Sequence, residues 1–191
     1  MAGIYVHVPF CHAKCAYCDF YSLADTRRPG AFVEAVEREF QRRAGELGDS
    51  PVRTIYFGGG TPSILPGELF ARLASFFPVA EAEEFTIEVN PEDVSPAAVG
   101  MWRNAGVNRV SIGIQSLVDT ELRAVRRRHS AREAVRAIAM LRQGGISNIS
   151  GDLIYGLPGQ TPLSFKFSLD RLLETGISHL SAYNLGIEPG T

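Results

Sequence analysis

Cys11, Cys15 and Cys18 fall within eight residues, and the chain has no other cysteine. An odd number of thiols this close together suits metal ligation in a reducing compartment better than a disulfide framework. The C-x3-C-x2-C spacing lets three sulfurs converge on one centre, and soft thiolates select zinc or an iron–sulfur cluster. A structural zinc site needs a fourth ligand, which His7 or His12 could provide. A redox pair formed by Cys15 and Cys18 lacks the thioredoxin-like pattern that should precede it. A four-iron cluster held by three cysteines keeps one iron free of protein ligands, where a small chelating molecule can bind.

These thiols follow an alternating apolar segment at 4–8, the first of six strand candidates; the others are 54–57, 85–89, 109–114, 148–154 and 180–185. The five stretches between them are helical in pattern, with Phe32, Val36 and Phe40 on one face and Leu69, Leu73 and Phe76 on another. Ser95-Pro96 and Thr161-Pro162 place a capping hydroxyl before a proline at the first helical position, and Ser130 with Glu133 fits a capping box. Ala105-Gly106, Gly144-Gly145 and Thr175-Gly176 each end a helix shortly before a strand. Such recurring units predict an α/β fold, a partial (β/α)6 TIM-like barrel rather than a doubly wound sheet, in one domain over 1–191. Residues 26–30 and 47–52 read as loops.

In a barrel of this kind the chemistry sits at the C-terminal ends of the strands, which is where the cysteine segment falls. Gly58-Gly59-Gly60-Thr61 follows the second strand, and its glycines let backbone groups approach a ligand. Glu88 closes the third strand in an otherwise apolar run, where burial calls for a partner such as a ligand hydroxyl. Gln115 ends the fourth strand, Asp152 lies in the fifth, and Tyr5, on the first, can reach the mouth. The run Arg126-Arg127-Arg128 has the composition of a solvated face. His7, His12, His129 and His179 are isolated and take no assigned role.

Composition narrows the partners. A formal charge of -2 gives no electrostatic reason to expect nucleic acid or an anionic membrane surface. No apolar run approaches the roughly 18 to 20 residues of a membrane span, and no cationic leader precedes the first strand. The expectation is a soluble chain of the cytoplasm.

With Tyr17 before the last cysteine, the cysteine motif resembles the hallmark of the radical S-adenosylmethionine superfamily. YVHVPFCHAKCAYCDF, YFGGGTPS, TIEVNPEDV, RVSIGIQS, DLIYGLPGQT and AYNLGIEPGT are similar to the oxygen-independent coproporphyrinogen III oxidase-like family. The resemblance implies a 4Fe-4S cluster on Cys11, Cys15 and Cys18. It also implies S-adenosyl-L-methionine contacts by Tyr5, Gly59, Gly60, Thr61, Glu88, Gln115, Arg127 and Asp152, with Arg127 twelve residues after Gln115 as in the family pattern. Arg126 departs from that pattern, which often has glycine there. The family divides into an oxidase of haem synthesis, with a further cysteine two positions after the third ligand, and a haem chaperone. This chain has Phe20 at that position and so resembles the chaperone branch. The implied partners are haem or a porphyrin, a haem-acceptor protein and an electron donor, together with a C-terminal region not contained in this chain. The oxidase and a structural zinc domain are the alternatives.

Overall fold

The structure, a computed structural model, describes residues 1–24 and 27–186. Thr26 of the expected loop 26–30 and residues 187–191 of the last motif lie outside the described residues. Six strands form one sheet: β1 (Ala2–Val8), β2 (Val52–Gly59), β3 (Glu84–Val89), β4 (Arg109–Gln115), β5 (Asn148–Tyr155) and β6 (His179–Asn184). Every neighbouring pair is parallel and the spatial order is that of the sequence. A doubly wound sheet would reverse its strand order; this uninterrupted order is that of a partial β/α barrel, as the sequence predicts.

The connections carry helices α1 (Pro29–Arg43), α2 (Gly67–Ala74), α3 (Pro96–Asn104), α4 (Asp119–Ala124), α5 (Ala131–Gln143) and α6 (Pro162–Glu174). Four connections hold one α-helix each, as expected, but the β4–β5 connection holds two. Phe76 lies beyond the end of α2, although it still packs against the core. The expected loops are shorter: α1 already begins at Pro29, a 3-10 turn covers Ala44–Leu47, and β2 starts at Val52. Leu185, assigned by sequence to the sixth strand, falls just after β6.

The caps form as the sequence indicates. Ser95 accepts from the Ala98 amide, Ser130 and Glu133 make a reciprocal box, and Thr161 makes a second box with Ser164. At the other ends Gly106, Gly145 and Gly176 all have positive φ, the left-handed geometry that releases the chain from a helix toward the next strand.

Side-chain alternation divides the sheet into two different surfaces. Ile55, Phe57, Phe85, Ile87, Val110, Ile112, Ile149 and Leu153 are buried in the core beneath the helices, with Val33, Phe70, Leu73, Trp102 and Leu141. The opposite, inner face carries Tyr5, Tyr56, Thr86, Glu88, Arg109, Ser111, Ser150, Asp152 and Ser181 at matching register positions. Closed barrels of this class usually fill their interior with branched aliphatic side chains. Here that face is polar and hydrogen-bonded within itself: Thr86 Oγ1 donates to Glu84 at 2.8 Å, and Ser111 Oγ donates to Asp152 at 2.9 Å.

Candidate functional site

The cysteine segment is cinched onto the end of β1 by backbone hydrogen bonds. The Cys11 amide donates to the Leu23 carbonyl at 3.0 Å and the Leu23 amide donates to the Pro9 carbonyl at 2.6 Å, closing residues 9–23 into a loop. Within it the Cys18 amide donates to the Cys15 carbonyl at 3.1 Å, a tight turn between the last two cysteines. The Gly60 amide reaches back to the Val8 carbonyl at 2.8 Å. A Cβ on Gly60 would lie 2.7 Å from the Phe10 carbonyl oxygen. Gly59, at φ 107, is in the region that only glycine occupies cheaply, with the His7 ring 2.6 Å from where its Cβ would be.

A cavity of about 380 Å³ opens at this end of the sheet, within the usual size of a small-molecule site. Its wall contains Cys11, Cys15, Cys18, Gly59, Gly60, Thr61, Glu88, Gln115, Arg127 and Asp152. Ten of the eleven residues singled out from the sequence are thus brought together. Tyr5 is not in that wall. It stands lower on the inner face, 59% exposed, its hydroxyl 3.3 Å from His7 Nδ1 and its ring centroid 5.9 Å from that of Tyr56.

Glu88 is already partnered. Tyr56 Oη donates to Oε1 at 2.8 Å and the Gly59 amide to Oε2 at 3.0 Å, so a ligand hydroxyl is not needed to justify its burial. Burial still pushes its pKa up, against the lowering effect of these two donors. Burial likewise raises Asp152, opposed by the hydrogen bond from Ser111. The Cys18 thiol is pushed up by burial, partly offset by a hydrogen bond with the Phe20 backbone.

The arginine run resolves into one inward and two outward side chains. Arg126 and Arg128 are exposed, whereas Arg127 donates to Asn90 Oδ1 at 2.7 Å, to the Gly113 carbonyl at 2.8 Å and to Cys15 Sγ at 3.5 Å. Burial disfavours the Arg127 cation, but Tyr17, Cys15 and Glu92 outweigh it and keep its pKa above the ordinary value. The turn that aims it is strained: Arg126 has φ 59, where the related pattern often has glycine. Gln115, at φ 66, interrupts the β4–β5 register and donates to Tyr17 Oη at 3.0 Å. Burial pushes the Tyr17 phenol up to about 12.

Asn90, Tyr17 and Ser111 also line the cavity, though the sequence did not mark them as site residues. Their signal is positional: Asn90 directly follows β3, and Tyr17 lies between two cysteines. His129, unassigned from sequence, is buried with Nδ1 3.3 Å from Glu92 and Nε2 3.2 Å from the Ile114 carbonyl, and so braces the turn carrying Arg127.

Among the described residues, Gln115 Oε1, Arg127 Nε and Asp152 Oδ1 are buried without a hydrogen-bond partner. Buried polar atoms are almost always paired, so three orphans on residues of one cavity wall fit a polar ligand offering both donors and acceptors. Among the described residues, no three His, Cys, Asp or Glu side chains are gathered as they would be around one metal ion. Three cysteines lining a cavity suit a larger centre held at several corners.

Known proteins place the chain. The radical SAM superfamily model matches residues 5–172. The chain is 34% identical to the haem chaperone HemW of Bacillus subtilis, over 100% of its own length and 52% of the relative's, and 34% identical to that of Escherichia coli over 99% and 52%. It therefore spans about half the length of the curated relatives it matches. Among solved structures, Escherichia coli coproporphyrinogen III oxidase (HemN), described as a radical SAM enzyme, superimposes with a TM-score of 0.88 at 32% identity, covering 98% of this chain and 44% of that one. Methylornithine synthase, at 17% identity and a TM-score of 0.72, shares the fold. The matched span includes all three cysteines and every strand from β2 to β5, and on that ground the chain belongs to the radical SAM superfamily.

Proposed function

We propose that this chain is the cofactor-binding core of a haem chaperone. Cys11, Cys15 and Cys18 would hold a 4Fe-4S cluster, and Gly59, Gly60, Thr61, Glu88, Gln115, Arg127 and Asp152 would hold S-adenosyl-L-methionine beside it. Tyr5 would contact the end of a ligand that reaches down the inner face past Glu88. The observation that carries this reading is the convergence of the three thiols and the three orphaned polar atoms on one cavity. When bound, the reduced cluster and S-adenosylmethionine together supply one-electron cleavage of a sulfonium.

The chain's own residues supply the setting. Arg127 brings a fixed positive charge to the mouth, suited to a carboxylate, and the Gly59–Thr61 backbone allows close approach to an amino group. Glu88 and Asp152 accept hydrogen bonds from ligand hydroxyl or amine groups, while Gln115 offers a carbonyl. Phe20, 69% exposed at the rim, stands where the oxidase carries a cysteine and favours the chaperone. Haem binding, an acceptor protein and an electron donor belong to the full-length protein in this proposal, as does a C-terminal region. A cytoplasmic location is part of the same proposal. No helix among the described residues is long and apolar enough to cross a membrane.

The superposition on coproporphyrinogen III oxidase supports a second reading, oxidative decarboxylation of propionate side chains. Two assays on the full-length protein separate them. Haem titration should give a stable complex, and anaerobic incubation with coproporphyrinogen III should give no vinyl product. Decarboxylation without haem binding would overturn the chaperone reading.

A further inference from the structure

Cys11 and Cys15 are joined by a second path that does not run through their loop. Cys11 Sγ lies 3.4 Å from Thr61 Oγ1, and Asn90 Nδ2 donates to that same oxygen at 3.3 Å. Arg127 Nη2 donates to Asn90 Oδ1 at 2.7 Å, and Arg127 Nη1 to Cys15 Sγ at 3.5 Å. Asn90 is the midpoint, using both ends of its carboxamide. Because a donor faces Thr61, the Thr61 oxygen serves as acceptor on that side and keeps its single proton for a Cys11 thiolate, which can only accept.

The local backbone does not call for this arrangement. Asn90 occupies the N-cap position of the Pro91–Asp93 turn, where asparagine ordinarily caps with its side chain, yet it makes no cap hydrogen bond. Its amide is turned to the cavity instead.

We propose that Asn90 is a positioning residue of the cluster, holding Thr61 and Arg127 so that one donor reaches Cys11 and another reaches Cys15. Cys18 has its own donor from the Phe20 backbone. The proposal rests on reading the three cysteines as cluster ligands and goes beyond the ligand set. Hydrogen bonds to ligand sulfurs stabilise the reduced, more negative cluster and raise its potential. Asn90 thereby sets how readily the centre accepts an electron.

The test compares wild type with Asn90→Ala, Asn90→Asp and Thr61→Val in the full-length protein, reconstituted anaerobically without S-adenosylmethionine. Iron content, the midpoint potential from a titration followed by electron paramagnetic resonance, and the unfolding temperature are measured for each. Asn90→Asp keeps an acceptor for Arg127 but turns the group facing Thr61 into an acceptor, which draws the hydroxyl proton away from Cys11. Thr61→Val removes that proton outright. All three variants should shift the potential negative, Asn90→Ala further than Thr61→Val, and the Asn90→Ala/Thr61→Val double variant should fall no lower than Asn90→Ala alone.

Cluster-loaded variants with wild-type potential and line shape would overturn the proposal, as would additive shifts in the double variant. If Asn90→Ala fails to take up iron, the other two variants decide. A wild type that assembles no cluster would defeat the underlying reading and this proposal with it. A loaded wild type with unmoved variants defeats this proposal alone.

Discussion

In β3, Phe85, Ile87 and Val89 turn toward the helices and are fully or almost fully buried, while Thr86 and Glu88 between them face the interior of the partial barrel. The same division runs from β1 to β5, while β6 buries neither face and offers only Leu180 to the core. On the helix side, contact is aromatic and aliphatic: Phe57 meets Phe70, Phe77 and Phe85 with ring centroids 5.7, 5.8 and 4.8 Å away. On the inner side nearly every residue is polar, and the residues near the strand ends keep unsatisfied atoms. Stability and chemistry are thus assigned to opposite faces of one sheet, and substitutions on the two faces should fail in different ways.

The largest effect is expected on the apolar face. Phe57→Ala empties the centre of an aromatic cluster and should cost about 3–5 kcal/mol in denaturant unfolding of the apo chain. What remains folded should still take up iron. Iron uptake lost without lost stability would blur the division between the faces.

Gly59→Ala comes next and acts on both properties. A left-handed alanine costs about 1–2 kcal/mol, and its Cβ also meets the His7 ring. The Gly59 amide would be drawn off Glu88. Response of the cluster signal to S-adenosylmethionine should disappear while iron content persists.

Asp152→Asn should separate the two properties in the opposite direction. Burial makes the ionised carboxyl unfavourable in the folded chain, so the amide should stabilise the apo protein by about 1 kcal/mol at neutral pH while weakening ligand binding. The Asp152 pKa is raised on folding, so the native state binds that proton more tightly than the unfolded one. Wild type therefore gains stability as pH falls through the carboxylate range, and the variant's advantage should fade over that interval. An advantage that grew on acidification would contradict this account of the inner face.

The smallest effect is expected at Arg126→Gly, which relieves a left-handed arginine but loosens the unfolded chain. A net gain of about 0.5–1 kcal/mol should appear in thermal unfolding, with the signal response unchanged. Arg126 is exposed, so any larger change would reveal a contact outside the turn.

Much of this division is legible in the sequence because alternation in a strand is a local property. Ile55, Phe57, Phe85 and Ile87 announce the buried face by type alone, and the caps at Ser95, Ser130 and Thr161 announce the helix starts. The cysteine spacing and the glycines after β2 are local as well. What was not legible depends on pairs distant in sequence. Glu88 looked partnerless because Tyr56, which satisfies it, lies on another strand. Asn90 gave no signal as a site residue because its meaning comes from Thr61 and Arg127, 29 and 37 residues away. The distance from Tyr5 to Cys11 in sequence points Tyr5 to the mouth, but its position on β1 sets it lower on the inner face. The second helix between β4 and β5 leaves no signature in the sequence because α4 is only six residues long, too short to show a helical period.

Anaerobic reconstitution with iron and sulfide, followed by electron paramagnetic resonance of the reduced protein with and without S-adenosylmethionine, tests the central claim most directly. The account predicts a four-iron cluster signal whose shape changes when S-adenosylmethionine is added. Absence of a cluster, or a signal indifferent to that addition, would contradict it.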